Sequence, residues 1–415
     1  PAGRLLAGTT LVAGALGVDT RQSYAAMLFA LGSALLVTAS ILALGFRGRL
    51  AIARRLPRYA TVGVALHYDL ELQNLSARAL RDVTVRDELA APPPSAQDLR
   101  GYRSERRAGT NWLDRLVGYP DWVELVRRRR GAEVATVPVA PVAPQAGTRV
   151  AVTLRPLRRG ILRFGSTWVA RPDPLGLVNG LRLARSPGDL VVLPRRHACA
   201  VPALAGRRRE QPGGIARAGR VGDAQELMGV RDYRPGDPVR RIHWRSWART
   251  GRPIVKELQD EFFVRHAVVL DTATAPGARF EAMVEVAASH LEALSGPDGL
   301  LDLIVLGDRV QRHTSGRGLA APDALLAALA SVQATPGAPL ERLPGALARE
   351  ASRISGCVCV LGAWDAPRRG LLESLRRRGV EALAVVVADG AARPGVLAPG
   401  VRQVRAACLD VDLAP

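Results

Sequence analysis

The chain has 415 residues, 48% of them hydrophobic and 23% charged, which excludes wholesale disorder and implies two or three domains. Its four cysteines, at 199, 357, 359 and 408, are too few for a disulfide framework. The net charge is +20, and every cation but Lys256 is an arginine. A soluble secreted protein and a small basic nuclease-like domain both fit poorly.

Tyr24–Phe46 runs for 23 residues without a formal charge, enough at 1.5 Å per residue to cross a ~30 Å hydrocarbon layer. Ahead of it lies a shorter uncharged stretch of 14 residues, Leu5–Val18. A cleaved signal peptide competes for that first stretch, but no good cleavage site precedes Tyr24 and a longer span follows at once. The expectation is a transmembrane helical hairpin turning at Asp19–Ser23. Arg47, Arg49, Arg54, Arg55 and Arg58 follow the second span, with no acid before Asp69. By the positive-inside rule they place the remaining chain in the cytoplasm, as the soluble part of a multi-pass protein of the inner membrane. They would also lie against anionic headgroups.

Alternation at Val62, Val64, Leu66 and Tyr68, then at Leu70 and Leu72, predicts strands before an Asn74–Ser76 turn, with a further short strand at Val83–Val85. An insertion over about 90–133 interrupts, with Pro92–Pro94, a helix around Trp112–Val126 and the arginine run Arg127–Arg130. Strands return at Arg149–Leu154, Ile161–Phe164 and Trp168–Ala170, and an extended segment ends at Leu190–Pro194. Short strands joined by Gly and Pro turns predict an antiparallel β-sandwich.

Between Arg207 and Arg252 stand 12 arginines against five acids. Pro235-Gly236-Asp237-Pro238 is a turn by residue chemistry, with Asp237 placed to cap a helix starting near Val239 and Pro238 suited to its first position. Pro253–Leu258 reads as a strand. Three roles compete here: nucleic-acid binding through arginines interleaved with Trp244 and Trp247, catalysis with His243 as base near Asp237, and packing, with arginines paired to Asp232, Asp237, Glu257, Asp260 and Glu261. Packing leads, because a lone histidine beside tryptophan more often packs than catalyses, and nucleic acid is disfavoured beside a membrane anchor.

The run YRPGDPVRRIHWRSWARTGRPIVKELQDE, from Tyr233, resembles the signature of domain-of-unknown-function family 58, and RRGILRFGSTWVARPDPLGLV upstream is similar to another block of that family. The matching signature residues are Tyr233, Gly236, Asp237, Arg241, Ile242, His243, Trp244, Ala248, Arg249 and Gly251. The resemblance implies a membrane hairpin, a sandwich-like region and a closing von Willebrand factor A-like domain. It also implies association with a MoxR-type AAA+ ATPase that assembles or remodels other proteins. It brings no catalytic role.

From Phe262 strands and helices alternate: Ala267–Leu270, helix Ala278–Leu294, Leu301–Leu306, helices Pro322–Val332 and Gly345–Ile354, Cys357–Leu361, helix Pro367–Arg378, and Ala382–Val387 as the last clear strand. That pattern predicts a doubly wound α/β sheet whose ligands bind at the carboxyl ends of its strands. Asp271 stands at such an end, where an A-like domain keeps Asp-x-Ser-x-Ser. Here Ala273 and Ala275 replace both hydroxyls, so no metal is expected even with Asp365 as a second carboxylate. Cys357 and Cys359 are expected to point to opposite faces of their strand and hold no metal. Neither a phosphate loop nor a Gly-x-Ser-x-Gly elbow is present, so no cofactor is expected and any ATP hydrolysis must come from a partner.

The expected organisation is a transmembrane hairpin and basic segment over 1–57, a sandwich over 58–200, a signature segment and linker over 201–261, and an A-like α/β domain over 262–415. The expected function is a non-enzymatic membrane adaptor for protein partners. The alternative is a membrane hydrolase or transferase using Asp237, His243 and Asp271.

Overall fold

The computed structural model describes residues 2–17, 24–46, 48–105, 119–202, 204, 226–259, 265–296, 299–316, 321–338, 353–390 and 395–414. The chain divides into two compact units, Pro1–Leu193 and Pro194–Pro415.

The first unit begins with two apolar helices, α1 (Ala2–Leu16) and α2 (Tyr24–Leu44). They lie antiparallel: Gly32 of α2 faces Thr10, Phe29 packs on Gly14, and Ala26 packs on Gly17. Glycine at these positions lets the backbones approach, as helix pairs in lipid do. Among the described residues α2 is the one helix long and apolar enough to cross a membrane, with a mean hydropathy of 2.3. It suggests membrane anchoring or a signal sequence; α1, at 15 residues, is shorter than a span needs. The expected turn at 19–23 lies outside the described residues.

No free linker follows α2. Phe46 is 3% exposed and belongs to the apolar core of the next layer. Arg182 Nε donates to the Phe46 carbonyl at 2.7 Å, and the Arg171 guanidinium lies 5.0 Å from the centre of the Phe46 ring. Such cations suit a helix C-terminus, where carbonyls lack partners within the helix.

That layer is a β-sandwich of two sheets. One sheet has the order β1 (Leu50–Arg55), β3 (Leu66–Asn74), β7 (Gly147–Pro156), β5 (Ala132–Val134), and all its pairings are antiparallel. The other has the order β2 (Tyr59–Thr61), β9 (Asn179–Leu193), β8 (Gly160–Pro172), β4 (Val83–Leu89), β6 (Val137–Val139), and only β2 and β9 are parallel. Period-two burial sends Tyr68, Leu70, Leu72, Val150, Val152 and Leu154 inward from the first sheet. Val85, Leu89, Leu162, Phe164, Val169 and Leu190 meet them from the second.

Four sequence expectations change here. β1 occupies part of the stretch expected to be a juxtamembrane basic segment. Val62 and Val64 lie not in a strand but around a turn at Gly63, whose φ of 78° is ruled out for most side chains. The strands expected at Ile161–Phe164 and Trp168–Ala170 are one strand, β8, interrupted by a bulge between Phe164 and Ser166. In the inserted region α3 (Ala96–Glu105) forms where no helix was expected, and α4 (Tyr119–Arg130) carries the expected helix on to Arg130, while the first residues of that expectation, Trp112 included, lie outside the described ones.

Asp87 stands at an inward position of β4, where an apolar residue belongs, and its side chain is wholly buried. Arg54 of β1 meets it in a bidentate pair, Nε–Oδ2 2.8 Å and Nη2–Oδ1 2.7 Å. The Tyr68 hydroxyl donates to Oδ2 at 2.6 Å and the Thr167 hydroxyl to Oδ1, while the Arg54 guanidinium lies 4.4 Å from the Phe164 ring centre. Burial, reinforced by the Asp87 charge, pushes the Tyr68 phenol well above its ordinary range. Arg54 therefore does not face headgroups as expected of the basic cluster, and Arg55 pairs with Glu71 at 2.8 Å.

In the second unit a seven-stranded sheet has the order β14 (Val310–Ser315), β13 (Leu300–Leu306), β12 (Arg265–Asp271), β15 (Gly356–Leu361), β16 (Glu381–Ala388), β18 (Val401–Arg405), β17 (Gly395–Ala398). The five inner strands are parallel and the two edges antiparallel. β13 and β15 are buried at every position, as strands covered on both faces must be. α6 (Ala278–Leu294) lies on the face of Val358, which shares a small cavity with His290. α8 (Ala366–Arg377) packs on the face of Cys357 and Cys359. α7 (Pro322–Ser331) and the short α9 (Leu409–Asp412) complete this α/β unit. The sheet is thus mixed rather than purely parallel, and two strands follow Ala382–Val387. Of the edge strands, β14 is too polar and β17, at four residues, too short to meet the apolar-run criterion. The helix expected over 345–354 falls mostly outside the described residues.

Arg54→Gln would leave the Asp87 carboxylate buried with its cation gone. We expect a loss of about 3–5 kcal/mol in denaturation of the detergent-solubilised chain, and substantial recovery in the Arg54→Gln/Asp87→Asn double variant.

Candidate functional site

Two groups of residues singled out in the sequence lie in the second unit. The first is a hairpin of β10 (Glu226–Asp232) and β11 (Ile254–Gln259), antiparallel, with Asp232 opposite Ile254. Between the strands run a tight turn, a 3₁₀ turn at Val239–Arg241 and the helix α5 (Trp244–Thr250). Tyr233 N–H donates to the Pro253 carbonyl at 3.0 Å, and Gly236 turns the chain at φ 105°. Ile242 is buried and bridges Val255. His243 N–H donates to the Ile254 carbonyl at 2.8 Å, and its own carbonyl accepts from Ser246 and Trp247. Gly251, at φ 68°, ends the helix by donating to the Trp247 carbonyl. The positive φ angles at Gly236 and Gly251 and the burial of Ile242 are the reasons the segment needs Gly and Ile at those places.

Asp237 does not cap a helix as expected. Pro238, not Asp237, occupies the cap of the 3₁₀ turn, with no side-chain bond to it. The Asp237 carboxylate is instead held by Arg231, at 2.7 and 2.8 Å, and by the Arg234 N–H at 2.9 Å. The Arg231 hydrogen bonds, followed by that backbone bond, draw its pKa down to about 2. His243 Nδ1 lies 2.6 Å from Ser246 Oγ. The Trp244 and Trp247 rings stack with centroids 5.2 Å apart, and Trp244 is 60% exposed. Arg240, Arg245, Ala248 and Arg249 are exposed around them, and Arg241 is half-buried. The result is an aromatic and cationic surface on a hydrogen-bonded scaffold. The bonds of Asp237 and of His243 end on different partners.

The second group lies at the carboxyl end of β12. Asp271 is fully buried; Oδ1 accepts from the Ala273 N–H at 2.9 Å and Oδ2 from Arg368 Nε at 2.7 Å. Arg368, on the first turn of α8, also donates to the Ala273 carbonyl at 3.0 Å and pairs with Asp365, whose carboxylate caps α8 through the Arg368 N–H at 3.2 Å. Thr272 turns away to the Leu306 carbonyl and to Thr335. Ala273 and Ala275 offer no side-chain oxygen. A guanidinium thus neutralises the carboxylate that a divalent cation would need, and this donor set does not fit a metal. Among the described residues no group of three or more His, Cys, Asp or Glu could hold one. Arg368 was missed in the sequence because it lies 97 residues from Asp271, with no spacing rule linking the two.

Cys357 and Cys359 do not point to opposite faces. Residues two apart in a strand share a face, and their sulfurs lie 4.0 Å apart, fully buried. Also missed was His197, whose Nδ1 lies 2.6 Å from Asp410 and Nε2 2.8 Å from Glu285. A carboxylate thus faces each ring nitrogen. This arrangement fastens the 194–200 segment to α6 and α9.

The family profile described as Protein of unknown function DUF58 matches residues 229–393, which supports the DUF58 family and spans the hairpin and most of the sheet. No curated protein matches the chain. Among solved structures, the CARDB domain of a Pyrococcus furiosus protein in complex with di-metal ions is 14% identical, covering 35% of this chain and 89% of its own, with a TM-score of 0.19. A PapD-like domain of human CEP192 is 13% identical, over 35% and 84%, with a TM-score of 0.19. Proximal thread matrix protein 1 of the mussel byssus, with a zinc-occupied MIDAS motif, is 15% identical, over 31% and 36%, with a TM-score of 0.24. At these scores the strand order given above, rather than any of these likenesses, defines the fold.

Because the Asp237 pKa is depressed in the folded hairpin, the stabilisation from its pair with Arg231 is complete above the ordinary carboxylate range near 3.8 and is lost as pH falls toward about 2. The exciton circular dichroism of the stacked tryptophans should weaken over that window, and Asp237→Asn should remove the pH dependence. For Asp271, Arg368→Met should cost about 3–5 kcal/mol in thermal or chemical denaturation, with most of it regained on adding Asp271→Asn.

Proposed function

We propose that the chain is a non-enzymatic, membrane-anchored adaptor that presents its second unit to protein partners. The observation that supports this most is the Asp271–Arg368 pair. The strand end where an α/β sheet usually binds a ligand is closed by an internal cation, while the exposed chemistry lies on the hairpin around Trp244. Aromatic and arginine side chains on a braced scaffold are what protein interfaces favour. The resemblance to family 58 adds the finer parts of the reading. The second unit is a von Willebrand factor A-like domain that has exchanged its metal for Arg368, and the partner is a MoxR-type AAA+ ATPase that supplies the nucleotide chemistry. α1 and α2 form a transmembrane hairpin, and the arginines after α2 put both units in the cytoplasm.

One observation favours a second reading, a membrane hydrolase or transferase: the 2.6 Å contact of His243 with Ser246 places a base beside a hydroxyl. In that case His243→Ala would abolish an activity and leave the melting temperature nearly unchanged.

The test of the adaptor is recovery of partners from native membranes in mild detergent by a tag on the chain, read by mass spectrometry. The expected result is an AAA+ ATPase that is retained by the wild type and lost from Trp244→Ala/Arg245→Ala. Equal recovery of the same proteins with both chains would exclude the hairpin as the docking surface.

A further inference from the structure

The turn that joins β8 to β9 is rigid. Asp173 is 5% exposed, and its carboxylate accepts the backbone N–H groups of Leu175, Leu177 and Val178 at 2.7 to 2.8 Å, while its own N–H donates to the Val178 carbonyl at 2.8 Å. Those backbone bonds, led by the one from Val178, hold its pKa below the usual carboxylate value. Yet this braced turn and the strand after it hold large apolar side chains in the open: Leu175, Leu181 and Leu183 are 49%, 54% and 51% exposed. Leu181 and Leu183 point outward from the sandwich, so the core does not require them.

Their position is set by the apolar helices. A Cβ at Gly3, near the start of α1, would run into the Leu177 carbonyl, and one at Gly180 would meet Ala43 and Phe46 at the end of α2. Arg182 binds the Phe46 carbonyl and Arg171 covers the Phe46 ring, with Arg185 exposed just beyond. If α2 crosses a bilayer, its last turn lies at the boundary of the hydrocarbon. Gly180 is in contact with that turn, and Leu181 is the next residue, ~3.8 Å along the chain. Leucines within about 5–10 Å of that level fall in the zone where amphipathic elements bury their apolar side chains, with arginines among the phosphates.

We propose that the β8–β9 turn is a second membrane contact, in which Leu175, Leu181 and Leu183 insert into the phospholipid interface beside α2 while Arg171, Arg182 and Arg185 take the headgroups. This rests on α2 spanning the bilayer and extends the anchor of the proposed adaptor. Two attachments, one through Phe46 and one through the turn, stop the sandwich from swivelling and set which of its faces looks away from the membrane.

The test is electron paramagnetic resonance on the full chain in nanodiscs of phosphatidylcholine and phosphatidylglycerol. Single cysteines carrying a nitroxide are placed at Leu175, Leu181, Ile161 or Ile41, in a Cys199→Ser/Cys408→Ser background that keeps the buried Cys357 and Cys359. Collision with oxygen, which concentrates in lipid, is compared with collision with a water-soluble nickel chelate. Ile41 lies within α2, and Ile161 is exposed at the far end of the same hairpin. The expected result is an oxygen-to-nickel accessibility ratio several-fold higher at 175 and 181 than at 161, approaching that at 41. If 41 reads as lipid while 175 and 181 match 161, the second contact is overturned and the span survives. If 41 itself reads as water, the span fails and the proposal fails with it.

Discussion

An aspartate at an inward position of a core strand can be tolerated only if a cation reaches it, and Arg54 is that cation. The pair determines more than its own surroundings. Arg54 lies on β1, the first strand after the apolar helices, and Asp87 lies on β4 of the opposite sheet, so the contact ties the chain leaving α2 across the sandwich. Tyr68 and Thr167 satisfy the remaining carboxylate lone pairs, one from each sheet. A buried ion pair is weak evidence of net stability, because desolvation offsets much of its attraction. Its value lies in register: slip β1 by one residue and Arg54 points into water with Asp87 left alone.

The second unit repeats the device. Arg368 lies on Asp271 as Arg54 lies on Asp87, and Arg265 makes a third such pair with Asp302 at 2.7 Å. Part of the arginine content is therefore structural, held inside against carboxylates, and for Asp87 and Asp302 in the bidentate geometry that a guanidinium matches in shape. Others, among them Arg240, Arg245 and Arg249 around Trp244, are exposed.

Phe46 ties α2 directly to the sandwich. A helix that ended in a flexible linker would let the soluble part sample every orientation. Here the residue that follows the last turn is in the sandwich core, its carbonyl and ring both held by arginines from the second sheet. Whatever holds α2 in place also orients the sandwich. For the adaptor proposed above, that decides what its surface can reach.

Local patterns carried much of this structure. The long apolar run of α2, the period-two strands of the sandwich, the strand–helix alternation after Phe262 and the turn at Gly236 all depend on neighbours in the chain, and so they are legible in sequence. The loss of hydroxyls at Ala273 and Ala275 is legible for the same reason. Long-range pairing decided the rest. β1 looked like a basic tail until Asp87 claimed Arg54, and Asp237 looked like a cap until Arg231 took its carboxylate. The edge strands β14 and β17 gain their identity from β13 and β18. Above all, the occupant of the Asp271 site comes from a helix 97 residues away. The sequence by itself determined most of the core helices and strands and which side chains cannot ligate a metal; only the tertiary structure decided the edge strands and which cation each buried acid receives. Charges pair by distance in space, and the chain order does not encode that distance.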